Sequence, residues 1–262
     1  MGLSMRLNLF HQVTPEDVYA ALDSFYRQRG RALVDHGDSS LGCALHEQDR
    51  GWTLLYMPSE HFQERRQLQV HISGELHCRG FLVEVHDGDF WGYEFSSNGE
   101  ALDQFIQHPD HLDRSVDWFP GESCAGNVAI LAEHFPGLER DVLERYLVRY
   151  PAWEEWRNEK DWKQAYNRLR EERNVKARPE DTYLPFDECA VLDFLRYVGV
   201  NVELEYEWVT LVNVERRIGC VRFAAPVWRQ FWVSGQNTKE LWKEKRRQRR
   251  QGGAATKGQA IR

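Results

Sequence analysis

Apolar and polar positions alternate over residues 5–10, 41–46 and 52–57, which predicts three short strands. Between the first two, Val18, Ala21, Leu22 and Phe25 recur at helical spacing. Thr14 stands where a helix cap belongs and Pro15 where a first turn tolerates proline. Glu16 and Asp17 meet the positive end of the helix dipole, and Gly30 can close the helix. Asp49, Arg50 and Gly51 join the second and third strands as a hairpin. Residues 58–76 carry two patterns. Leu68, Val70 and Ile72 alternate like a strand, yet Ser59 offers a cap and Glu64, Arg65, Arg66 and Gln67 suit an exposed helix. The helix is the reading taken, ending near Gly74. Residues 81–86 and 90–95 alternate strongly and are rich in aromatic and β-branched types, with Asp87-Gly88-Asp89 as the turn between them. Asn98-Gly99 marks the next turn, and residues 101–107 read as a short helix.

The first part of the chain therefore reads β-α-β-β-α-β-β-α. That order predicts an α+β fold, with an antiparallel sheet carrying helices on one face. Pro109, Pro120 and Gly121 suggest a boundary near 112–125. A mainly helical part follows. Val128, Ile130, Leu131 and Phe135 open it, and Leu138, Val142, Leu143, Tyr146 and Leu147 form a second stripe. Residues 153–173 read as a long charged helix, and 186–198 as a helix stopped by Gly199. Residues 202–211 and 218–223 look like a strand pair. The expected division is an α+β domain over 1–115, a mainly helical domain or subdomain over 125–235, and a basic, partly disordered tail over 239–262.

Charge sharpens the last boundary. Residues 239–262 hold nine basic residues against Glu240 and Glu244, a charge of +7. The whole chain carries −7, so residues 1–238 carry −14. An acidic body and a basic tail seek different partners. The five cysteines are odd in number and widely spaced, with no C-x-x-C, which argues against a disulfide framework or zinc knuckle and fits a cytoplasmic protein. No apolar run suggests a signal peptide or membrane span.

Candidate chemistry is sparse. His86, Asp87 and Asp89 place an imidazole and two carboxylates in one turn, where a hard cation could sit; Asp-Gly is also ordinary hairpin chemistry. His108, Asp110 and His111 form the densest cluster of potential metal ligands. Pro109 interrupts them, they lack the H-E-x-x-H spacing, and a solvated loop is the preferred account. His71 and His77-Cys78 add ligands only if the fold brings them near. Asp187, Glu188 and Cys189 open a helix, where a thiol can be activated; the adjacent acids oppose a thiolate, so a structural cysteine is the safer reading. No phosphate-binding glycine loop and no nucleophile elbow is present. Lys243, Lys245, Arg246, Arg247, Arg249 and Arg250 suit weak, non-specific contact with nucleic acid.

Two segments carry a resemblance. Residues 81–105 hold a hydrophobic strand, Asp87-Gly88-Asp89-Phe90-Trp91, Tyr93, Asn98-Gly99 and Asp103-Gln104-Phe105. Residues 186–200 pair an acidic start with Asp193-Phe194-Leu195 and Gly199. Together they resemble small bacterial proteins, some of which look like immunity or toxin-neutralising proteins. The resemblance implies a cytoplasmic binding protein and carries over no catalytic residue. The leading expectation is a non-enzymatic protein that needs no cofactor and binds another protein, one of basic character. Asp87, Asp89, Trp91, Trp153, Trp156 and Trp162 are its candidate contacts. A nucleic-acid-associated accessory protein tethered by the tail, and a metal-dependent hydrolase, are the alternatives.

Overall fold

The computed structural model describes residues 5–35, 43–47, 49–57, 62–86, 90–108, 124–150, 159–173, 175–187, 189–211, 214–223 and 227–233. The elements run β1 (Met5–His11), α1 (Pro15–Arg27), β2 (Leu33–Val34), β3 (Cys43–Glu47), β4 (Trp52–Tyr56), α2 (Phe62–Glu75), β5 (Arg79–His86), β6 (Phe90–Ser97) and β7 (Glu100–Ile106). They continue with α3 (Val128–His134), α4 (Arg140–Tyr146), α5 (Glu159–Arg173), α6 (Ala190–Val198), β8 (Val202–Leu211), β9 (Val214–Phe223) and β10 (Val227–Val233). The fold is α+β. Eight antiparallel strands form one sheet in the order β2-β10-β3-β4-β1-β5-β6-β7, and β8 and β9 form a separate hairpin.

Each face of the sheet is covered. On the first, Phe10, Leu45, Leu55, Phe231 and Val233 pack with Val18, Leu22 and Phe25 of α1 and Leu68 and Ile72 of α2. On the second, Leu7, Leu9, Phe81, Val83, Trp91, Tyr93 and Phe95 pack with Leu131 of α3, Leu143 and Tyr146 of α4, and Phe194 and Leu195 of α6. Sheet and later helices thus share one core. Rings interlock within it: Tyr93 and Phe194 stack with centroids 5.7 Å apart, and Trp52 and Phe135 at 5.8 Å. Each such ring removed from water contributes about 1.5–3 kcal/mol.

α1 starts as its sequence predicts. Thr14 Oγ1 accepts from the Asp17 N–H and the Asp17 carboxylate accepts from the Thr14 N–H, a closed capping box. α6 ends at Gly199, whose φ of 101° is left-handed. Residues 62–75 are helical, though α2 has almost no apolar stripe, because Arg65, Gln69 and Ser73 are buried beside Leu68 and Ile72. Gln69, fully buried, accepts from Asn8 Nδ2 at 2.7 Å and donates to Ser96 Oγ at 3.2 Å. Arg66 pairs with buried Glu94, and Arg6 with buried Glu84. Gly80 admits this layer: a Cβ there would lie 2.3 Å from Gln69 Nε2 and 2.4 Å from the Leu9 carbonyl oxygen.

Residues 101–107 are not a helix. β7 pairs antiparallel with β6 across a two-residue turn, with Ser97 opposite Glu100. Asn98 and Gly99 both take positive φ, 51° and 87°, as such a tight hairpin requires.

Candidate functional site

The second face of the sheet is apolar along its strands and polar at one end. β1 runs Leu7, Leu9, then His11; β5 starts at Arg79 before Phe81 and Val83; β6 runs Tyr93, Phe95, then Ser97. Register aligns these ends, since Trp52 pairs with His11, His11 with Arg79, and Arg79 with Ser97. A row Trp52–His11–Arg79–Ser97 therefore crosses four strands. Gln12 and Asn98 directly follow the row and His77 stands two residues before Arg79. All three are non-glycine residues with left-handed φ, 61° for Gln12, 51° for Asn98 and 48° for His77. Such conformations are costly and concentrate where surrounding structure imposes them. Glu133 and His134 at the end of α3 overhang the row. Apart from Trp52, these residues line an open cleft of about 400 Å³.

Arg79 organises the cleft. Its Nη1 donates to the His134 carbonyl oxygen, and its Nη2 donates to Gln12 Oε1 at 3.1 Å and contacts His11 Nδ1 at 3.3 Å. The guanidinium carbon lies 5.1 Å from the centroid of the Phe135 ring. Every one of these acceptors is neutral. Among the described residues Arg79 has no carboxylate within ion-pair distance, and Glu133 in the same cleft has no cationic partner. His11 lies 4.7 Å from the Trp52 ring and 5.7 Å from Phe135. Burial lowers its pKa, the Arg79 charge lowers it further, and a hydrogen bond to the Arg50 backbone partly opposes them. Burial pushes the Cys78 thiol up to about 11, which disfavours the thiolate.

A second feature lies on the other face. Register between β10 and β3 skips from Val227 to Arg229, which leaves Trp228 as the extra residue of a β-bulge. The bulge turns Trp228 outward, 37% exposed, beside Val227 at 45%. Trp228 lies 6.2 Å from Tyr19 of α1 in an edge-to-face pose, and Arg229 sits over the same Tyr19 ring at 4.2 Å while pairing with Asp35 at 2.9 Å. Glu16 and Asp23 share the helix face of Tyr19 by their spacing.

The residues singled out in the sequence fare unevenly. Trp91, expected on a partner-binding surface, is fully buried and packs on Phe105 and Phe194 in the core. Alternation in β6 explains this, because Trp91, Tyr93 and Phe95 share its covered face. Trp162 stacks on Tyr166 at 5.4 Å, and Tyr166 and Leu169 pack against Val148, Tyr150 and Phe186, so this part of α5 is anchored internally. His108 lies 5.0 Å from the Tyr150 ring and 6.2 Å from Trp162. His71 pairs with Glu75 on α2, away from the cleft, whereas His77 lines it. Cys189 is buried, its N–H donating to Asp187 Oδ1 at 2.8 Å. Asp87, Asp89, Asp110, His111, Trp153, Trp156, Glu188 and the tail residues Lys243, Lys245, Arg246, Arg247, Arg249 and Arg250 lie outside the described residues, as does the side chain of His86. Among the described residues no three His, Cys, Asp or Glu side chains are placed to hold a metal ion, and no helix is long and apolar enough to cross a membrane. His11, Arg79, Ser97 and His134 were not singled out in the sequence; the signal for the first three is a polar residue at the end of an apolar alternation in three strands, and His134 at the end of α3 carries no such signal. No protein-family model, curated protein or solved structure matches this chain.

Proposed function

We propose that the protein works without catalysis, by binding another protein of basic character, as an immunity-like protein or adaptor does. The observation that carries this reading is the bulge-presented Trp228, exposed beside Val227 and Tyr19 on a body of charge −14. Tryptophan and tyrosine are the side chains that most often anchor interfaces, and an acidic body speeds encounter with a basic partner. Arg229 over Tyr19 shows the kind of contact a partner's guanidinium can make there. Cys43, Cys78, Cys124 and Cys189 are all buried, which disfavours thiol chemistry at these positions. The second reading, tethering to nucleic acid, draws on the +7 tail.

The test is capture from native lysate with and without nuclease, comparing the wild type with Trp228→Ala. A stoichiometric protein that the wild type retains, that elutes as salt rises, and that binds Trp228→Ala at least about tenfold more weakly supports the proposal. A protein held equally by both forms overturns the assigned surface. Recovery of nucleic acid alone, lost with nuclease, favours the tail reading instead.

A further inference from the structure

We propose that the cleft around Arg79 is a binding site for a small molecule bearing a carboxylate or phosphate group, separate from the protein-binding surface. Three observations meet there. The first is charge. Arg79 is held by a backbone carbonyl, an amide oxygen and an imidazole nitrogen, all neutral, and has no carboxylate partner among the described residues. Those contacts occupy three of its five N–H groups and leave two for an outside acceptor. A cation fixed in place by neutral groups is pre-organised for an oxyanion, because little side-chain freedom remains to be lost on binding.

The second observation is the lining. Ser97, Gln12, Asn98, His77, His11 and His134 supply hydroxyl, amide and imidazole groups around the guanidinium within about 400 Å³, room for a small metabolite. The third is the backbone. Gln12, His77 and Asn98 adopt left-handed conformations at three separate chain reversals, and these reversals form the rim of one cleft. Glu133 lines the same space and opposes an anion electrostatically.

The opposing charges define the experiment. Full-length protein is titrated calorimetrically, at low ionic strength, with inorganic phosphate in one arm and acetate in the other. The expected result is saturable one-to-one binding of at least one probe, and the preferred probe separates a phosphate-bearing from a carboxylate-bearing ligand. Arg79→Gln should weaken it about tenfold or more. That variant also loses contacts to His11 and His134, so two exposed positions provide independent readouts. Glu133→Gln should tighten binding a few-fold, and Asn98→Asp, which adds an anion at the rim at a residue type that tolerates positive φ, should weaken it a few-fold. Absence of saturable binding in both arms overturns the proposal, as does binding that Glu133→Gln and Asn98→Asp leave unchanged. Trp228→Ala should leave probe affinity as in the wild type; a change in that variant places the ligand elsewhere and overturns the assignment.

Discussion

At the scale of single residues, position within an alternating strand decides between core and cleft. His11 occupies the same face as Leu7 and Leu9, yet it stands one step beyond the covered core, where Arg79 and Gln12 meet it. Sequence alone shows three strands that each close on a polar residue, but not that His11, Arg79 and Ser97 are neighbours. Their adjacency depends on register between strands up to 68 positions apart. Partial burial and the Arg79 charge lower the His11 pKa below 6.5. The folded state therefore takes up a proton less readily than the unfolded state, so the stability this residue contributes is present above pH 6.5 and is lost as pH falls through the lowered folded value. Thermal melts of the wild type and His11→Asn between pH 7.5 and 5 should show the wild type losing more stability on acidification. Parallel losses would mean that other groups carry the acid response.

Among the elements, β7 shows why local pattern misleads. Leu102 and Phe105 stand three apart, a helical spacing, and both pack on the second-face core. The register explains it. Ser96 pairs with Ala101 while Phe95 pairs with Asp103, so Leu102 is the extra residue of a bulge that shifts the phase of alternation. α2 poses the opposite difficulty. Its buried side mixes Leu68 and Ile72 with Gln69, Arg65 and Ser73, a pattern that hydropathy does not mark as a core face, and only its helix-forming composition points the right way. Turn chemistry was the more legible signal, since Asn98-Gly99 is the pair a two-residue hairpin demands. That turn also packs on α2, where a Cβ on Gly99 would lie 3.1 Å from the Gly74 Cα. Gly99→Ala combines a positive φ with that approach and should cost about 2 kcal/mol in urea denaturation, whereas Asn98→Gly should stay within about 0.5 kcal/mol of the wild type. Equal stability of Gly99→Ala and wild type would show that α2 and the turn yield easily.

For the whole molecule, the decisive feature is where the last strand of the sheet goes. β10 lies between β2 and β3, and its Phe231 and Val233 are buried with α1 residues contributed more than 200 positions earlier. Nothing near residue 230 in the sequence announces this, because pairing across such a separation leaves no local trace. The strands of the first half other than β2 and β7, and the helices after residue 127, were legible one by one; their joint core was not. One consequence concerns the two ends of the charge division. Residues 239–262 hold the +7 and lie outside the described residues, whereas residues 227–233 complete the sheet. Removing 239–262 should leave the unfolding midpoint unchanged and abolish any nucleic-acid binding. Removing 227–262 should expose the edges of β2 and β3, open the first-face core where Phe231 sat, and give a protein that melts far lower or aggregates. Circular dichroism melts of the two truncations separate these effects. Cooperative unfolding of the longer deletion at the wild-type temperature would show that the sheet stands without β10, and would undo the assignment of Trp228 to a rigid, strand-borne surface.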